Sequence, residues 1–418
     1  MNKLIRAAGM LSVGAASLSL QGVATASEGG TKPWSIGASL RGFYDDNIYT
    51  RPSGPAKISS FGFEVSPNVA YSARFEATTV SLAYAYSARY YDTSKAQNNW
   101  DQGHVFSGAL QHDFNERLAL SLSDNFAMTR EPQELFSGLQ LRTEGNNINN
   151  QANISLSYQI SPKWSAVVGY HNGYYDYDAA VYKAALNRME HLPSLNLRYQ
   201  LAPTTVGILG YQYGIVEHDG NLALSGVKGT PGYLAASARD NNSHYIFAGL
   251  DHSFSPDFSG SIRGGAQITS YNYNAAGVNY SETSPYVDAN LKYSYAPGSS
   301  LQIGVRHQRN ATDIDLNFGG NIVQDQESTG VYGTWRHAIT GKLGSHLTAQ
   351  YQNSEFHGGG ATIDGKAESF FSFGGGLDYM ISKNFSAEAS YSYDDLTSGL
   401  LARGYSRNRV FLGIRATY

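Results

Sequence analysis

Any catalytic or metal chemistry in this 418-residue chain would have to be built from 11 histidines and 34 acidic residues, because it has no cysteine. That absence excludes disulfides, thiolate metal sites and thiol nucleophiles. Two carboxylate pairs stand out, Asp45-Asp46 and Asp394-Asp395. Paired carboxylates can do acid–base work, but at loop mouths they more often form turns or stay solvated. Asp313-x-Asp315-x-Asn317 briefly imitates a calcium loop. Phe318 stands where the turn glycine belongs, however, and Gln324 where the bidentate glutamate belongs, so no EF-hand is expected. His307 has no serine or carboxylate spaced as in a catalytic triad, and no phosphate loop or dinucleotide fingerprint occurs. The residues therefore assign no catalytic group, metal or cofactor.

Most of the charge obeys a different rule. Arg41, Arg89, Arg198, Arg263, Lys292, Arg306, Arg336 and Arg415 lie in segments where apolar and polar residues alternate, each on the polar side. Glu64, Asp113, Asp251, Asp288, Asp378 and Glu388 accompany them. In 34–44, Ile36, Ala38, Leu40 and Tyr44 oppose Ser35, Ser39 and Arg41. In 60–71, Phe61, Phe63, Val65, Val69 and Tyr71 oppose Gly62, Glu64, Ser66 and Asn68. Period two marks an extended strand with two unlike faces. The same alternation recurs at 78–90, 104–114, 117–127, 150–160, 163–174, 191–201, 204–215 and 244–254. It continues at 257–268, 285–295, 300–309, 329–339, 343–354, 369–381, 384–395 and 408–418. Only in 204–215 do apolar residues occupy both faces.

The connections alternate as well. Ser161-Pro162-Lys163, Ala202-Pro203-Thr204, Ser255-Pro256-Asp257 and Ala296-Pro297-Gly298 are short links whose prolines preset turn dihedrals. The links between them, such as 129–149 and 216–243, are long, polar and rich in Asn and Gly. The composition suits strands that are wet on one side and greasy on the other: 31 Tyr, 18 Phe, 45 Gly and only 15% charged residues. No later window offers the roughly 18 apolar residues a membrane helix needs. These observations predict an all-β fold: a transmembrane antiparallel up-and-down β-barrel of about 18 strands, within a range of about 16–18, with short periplasmic turns and long extracellular loops. The alternating charges would then line the lumen. Tyr158, Tyr199, His252, Tyr293, His337 and Tyr379 each stand two places before an apolar residue as a strand enters a short turn. They are expected to form a periplasmic girdle, since such rings favour the headgroup level.

Lys3 and Arg6, the apolar stretch 7–20 and Ala24-Thr25-Ala26 read as a signal peptide, 1–26, cleaved after Ala26. Residues 27–33 would be a short periplasmic N-terminus and 34–418 a single barrel domain. Loss of Lys3 and Arg6 leaves 28 basic against 34 acidic residues, a net charge of −6. That balance gives no electrostatic basis for binding nucleic acid.

Both ends of the chain resemble the β-barrel porin family of Gram-negative outer membranes. Phe43-Tyr44-Asp45-Asp46-Asn47-Ile48-Tyr49 is similar to that family's Y-D-D-N-[IV]-aromatic signature, and 406–414, S-R-N-R-V-F-L-G-I, to its closing strand. The terminal Tyr418 is similar to the aromatic end by which the barrel-assembly machinery recognises its substrates. The resemblance implies envelope transport and offers no catalytic residues. Three readings follow. The first is a porin-like channel for passive diffusion of small hydrophilic solutes. The second is a non-conducting structural or accessory barrel linked to extracellular polysaccharide export or binding, and the third a barrel hydrolase. Outer-membrane lipid would surround the barrel, and a lipid-facing patch is equally compatible with a homo-oligomer interface.

Overall fold

The computed structural model describes residues 32–93, 95, 98–130, 146–273, 281–314, 321–400 and 403–418. The leader and its cleavage site lie outside the described residues, as do Asp315, Asn317 and most of the 129–149 link. The first strands are β1 (Trp34–Asp45), β2 (Ser60–Arg74), β3 (Thr78–Tyr91), β4 (Trp100–Asp113), β5 (Leu118–Thr129) and β6 (Asn147–Gln159). They continue as β7 (Trp164–Asp176), helix α1 (Ala180–Leu186), β8 (Arg188–Ala202) and β9 (Thr205–His218). A small hairpin, β10 (Ala223–Ser225) and β11 (Leu234–Ala235), interrupts the series. Then come β12 (Asn241–Ser255), β13 (Phe258–Tyr271), β14 (Ser281–Ala296), β15 (Ser299–Asn310) and β16 (Val323–Ala338). The chain ends with β17 (Leu343–Gly358), β18 (Ala367–Met380), β19 (Phe385–Ser398) and β20 (Tyr405–Thr417).

Each barrel strand pairs antiparallel with its neighbours, β9 with β12 across the hairpin, and β20 returns to β1. The result is one closed sheet of 18 strands. Closure satisfies every backbone edge internally, which hydrocarbon demands. The short turns are tied by side-chain acceptors: Asn115 Oδ1 takes the N–H groups of Arg117 (2.8 Å) and Leu118 (3.0 Å), and Thr340 Oγ1 that of Leu343 (3.0 Å). These side chains mimic a backbone turn.

Two differences from the sequence reading have physical causes. Most strands run further at the long-loop end than alternation indicates, by up to six residues: β8 starts at Arg188 rather than 191, and β16 at Val323 rather than 329. Beyond the apolar band both faces are polar, so alternation fades while pairing continues. In β9, Val206 and Ile208 point inward and pack with Tyr245, Phe247 and Tyr286, whereas Leu209 and Tyr211 point out. This inner apolar cluster explains why both faces of 204–215 are greasy. Gly210 makes room for it, because a Cβ there would lie 2.2 Å from the Phe247 ring.

Candidate functional site

The inner faces enclose a central cavity of about 1910 Å³. Arg41, Glu64, Arg89, Asp288, Lys292, Arg306, Arg336, Asp378, Glu388 and Arg415 border it. Arg198, Asp251 and Arg263 lie on the inner face but are buried beside it, where Asp251 accepts from Arg198 Nη2 (2.8 Å) and Arg263 Nη2 (3.0 Å). Asp113 ends β4 at the short-turn rim and does not border the cavity. Sequence reasoning passed over Asp101 and Arg130 (3.0 Å apart), Arg188 and Glu190 (2.7 Å), and Arg309 with Asp325 (3.0 Å). Of these, Asp101, Arg188, Glu190 and Asp325 belong to strand extensions that alternation did not reveal, and Arg130 directly follows the end of β5. Arg409 and Asp394, 2.6 Å apart, share the faces of Arg415 and Glu388, so parity alone could have found them.

Nearly all this charge is paired. Glu64 is clamped between Arg41 and Arg89, whose Nη2 lies at 2.7 Å, and Glu388 takes Arg415 Nη2 at 2.8 Å. Asp288 holds Arg306 at 2.7 Å. Apart from Arg89, Asp101, Arg130, Arg188 and Glu190 toward its long-loop end, the wall from β3 to β8 is different, bordered by uncharged Ser81, Ser107, Ser121, Asn125, Gln151 and Asn153 among others. The lumen therefore has a salt-bridge lattice on one side and a hydroxyl and amide surface on the other.

At the long-loop end, the β15–β16 hairpin leaves the wall. β14 pairs with β13 up to Ser281, but with β15 only as far as Val287 and His307. Past that point the Arg309 N–H donates to Gln267 Oε1 of β13 (2.9 Å), and its guanidinium pairs with Asp325. The hairpin thus leans over the inner faces of β13 and β14. Arg239, only 1% exposed, locks it in place. Its guanidinium donates to the carbonyls of Ala185 (2.7 Å), Thr312 (2.9 Å) and Val323 (3.0 Å), joining three loops. Arg403 adds a fourth, with Asp313 at 2.8 Å and Glu368 at 3.2 Å. Burial works against the Arg403 charge, but the two carboxylates outweigh it and raise its pKa. Burial also raises the Tyr182 hydroxyl, assisted by Asp313, and pushes Asp240 up to about 6 against the His218 N–H it accepts. The sequence reading found no helix of recognisable length, and α1, which supplies Ala185, has only seven residues.

The motifs from the two chain ends meet at the seam. Asp45 accepts from Arg407 Nε at 3.1 Å, both residues being buried. Asp46 takes the Asn408 N–H (2.7 Å) and its amide (2.8 Å), while Asn47 Nδ2 donates to the Ser406 carbonyl (3.0 Å). Burial tends to raise the Asp46 pKa, but Asn408 and the Lys57 ammonium hold it below the ordinary value. At the other end of the seam, Tyr418 exchanges both backbone bonds with Ile36 (2.8 and 3.0 Å). Its ring lies 5.9 Å from Trp34 and beneath the Lys32 ammonium.

Outside, Tyr158, Tyr293 and Tyr379 are exposed near the short turns, and Tyr199 packs tilted against Trp164 at 4.7 Å. His252 packs on Phe254 at 4.5 Å, and His337 between Tyr295 (5.9 Å) and Trp335 (5.4 Å). Outward histidines repeatedly meet a cross-strand hydroxyl, as in Thr78–His112 (2.7 Å), Tyr170–His191 (2.6 Å) and Thr205–His252 (2.8 Å). His307 makes the same contact with Thr329 (2.7 Å) and adds Glu327 (2.9 Å), a hydroxyl–imidazole–carboxylate array. Glu327 is also drawn to Arg309 at 3.3 Å. Glu217 stands 4.0 Å from the His191 ring, but the hydroxyl–imidazole pair recurs at His112 and His252 with no ion-pair partner among the described residues, which marks it as a way of satisfying interfacial histidines. Among the described residues no cluster of three or more His, Asp or Glu is arranged to hold a metal.

No curated protein matches the sequence. Among solved structures the chain is similar to OccAB4 of Acinetobacter baumannii (12% identity, TM-score 0.44, 93% of this chain and 99% of that one). It is also similar to OpdK of Pseudomonas aeruginosa, solved with vanillate (11%, TM-score 0.48, 92% and 99%). A third is OccK2 of the same organism in complex with glucuronate (10%, TM-score 0.44, 92% and 98%). Residues 37–418 match the family described as Putative beta-barrel porin 2. With its strands joined into one closed antiparallel barrel and that match spanning almost the whole chain, this protein belongs to that outer-membrane porin family.

Proposed function

We propose that the barrel is a passive outer-membrane channel for small hydrophilic solutes. The observation that carries this reading is the central cavity, bordered by polar and ion-paired inner faces while the apolar faces point outward. Among the described residues bordering it, ten are Arg or Lys and eight are Asp or Glu, which favours anions slightly. Purified barrel in a planar bilayer is expected to give stepwise conductance. In a salt gradient its reversal potential should show a small anion preference. Absence of conductance from folded barrel would overturn the reading. The accessory-barrel alternative, with loops that bind polysaccharide, is favoured by one observation, the knot of loops around Arg239 and Arg403. A closed barrel in the same experiment would support it. We read the chain as non-enzymatic, in keeping with the repeated Thr/Tyr–His pairs.

The same reading has residues 1–26 removed on export, leaving a short periplasmic N-terminus. The lattice residues line the solute path, and the ring that includes Tyr158, Tyr199, His252, Tyr293, His337 and Tyr379 sits at the periplasmic lipid boundary. Tyr418 would present the last strand to the assembly machinery. A homo-oligomer, if formed, would use the outer wall.

A further inference from the structure

Lys292 is the lumen cation that the salt-bridge lattice leaves out. Of the nine arginines bordering the cavity, eight hold a carboxylate within 3.0 Å. The ninth, Arg336, acts on Asp378, which also lies 3.2 Å from the His346 ring. Lys292 borders the same cavity and is exposed, with neither a hydrogen bond nor an ion pair among the described residues. It stands four residues before the end of β14. At roughly 3.3 Å per residue and a tilt of about 40°, this is about 10 Å above the short-turn rim. The row of cross-strand partners through Lys292 runs from Ser259 by way of Gln302, Thr334 and Thr348 to Gly374, with no other charge. The row above it, from Ser261 and Asn290 through Gly304 to Tyr332, is uncharged as well. The next carboxylate up β14, Asp288, is already held by Arg306 at 2.7 Å.

Paired and single charges act differently on a passing solute. Opposite charges in contact leave a dipole whose field dies quickly, whereas a lone ammonium projects a full unit charge, which low-dielectric walls focus into the lumen. At about 10 Å in water one unit charge changes the local population of a monovalent ion about twofold, so anions and cations are separated about fourfold. The lattice has a surplus guanidinium of its own, since Glu64 serves both Arg41 and Arg89, but those side chains are only 20% and 23% exposed. We propose that Lys292 is the residue that sets the sign of selectivity, an anion station in the short-turn half of the lumen flanked by the uncharged Gln302 and Thr334. The solutes it favours are small monoanions, carboxylates among them. This role rests on the channel reading and deepens it, by naming the one side chain through which the lumen reads charge.

The test is the reversal potential of single channels in a potassium chloride gradient between about 0.01 and 0.1 M, where charges act over roughly 10–30 Å. Wild type is expected to prefer chloride. Lys292→Gln should lower the chloride-to-potassium permeability ratio about fourfold. Lys292→Glu should carry it over to a potassium preference, and Lys292→Arg should keep the wild-type value. Acetate in place of chloride should give the same ordering. At about 1 M salt, where screening acts within about 3 Å, the differences should vanish. Because Lys292 bonds to nothing among the described residues, each variant should keep its conductance and its heat-resistant folded band. Conducting Lys292→Gln and Lys292→Glu channels with the wild-type reversal potential would overturn this role and leave the channel reading standing. Absence of conductance from the folded wild type would overturn both.

Discussion

Asp45 and Arg407 are separated by almost the whole chain, yet both are buried and bonded to each other at the seam. Removing one member of a buried ion pair typically costs about 3–5 kcal/mol, because the other charge is stranded. Arg407→Ala should therefore lower the temperature at which the folded barrel loses its compact mobility in detergent gels. Asp45→Asn in the same chain should recover much of that loss, since the stranded charge is then gone. Melting of the single variant at the wild-type temperature would mean the seam is held by backbone pairing alone. Asp46 differs in kind: partly solvated and served by Asn408 and Lys57, it has partners that a point change would leave wet.

At the scale of elements, the β15–β16 hairpin decides how wide the long-loop mouth is. Arg239 is one of the groups that hold it across the barrel, reaching α1 through Ala185 and the hairpin through Thr312 and Val323. A hydrogen bond involving a charged donor contributes about 1.5–3 kcal/mol. In Arg239→Ala the three loops lose their common donor. Single-channel conductance should rise, and added protease should cut the loops of intact cells faster. Unchanged conductance and cleavage would assign the constriction to Arg403 and its carboxylates instead.

For the whole molecule, closure is the decisive event, because a barrel short of its last strand leaves two open edges. β20 finishes the sheet, and Tyr418 fixes its register against Ile36 beside Trp34 and Lys32. Tyr418→Ala is expected to slow assembly, seen as a smaller heat-modifiable fraction at a fixed time after synthesis, while barrels that do close conduct normally. Wild-type kinetics would place the recognition elsewhere in the strand.

The sequence by itself determined the architecture. A side chain in a membrane strand answers to lipid or water according to its parity, so Ile36, Leu40 and Arg41 declare their faces without any partner being known. The short turns are equally local, since proline and Asn115 act within their own few residues. Function at the mouth is not written that way. Nothing near Arg239 in the chain foretells that it will bind Ala185 and Thr312, and the bend of β15 away from β14 depends on Gln267, far off in sequence. Contacts across a closed sheet are set by registers that accumulate around the ring, and only the tertiary structure fixes those.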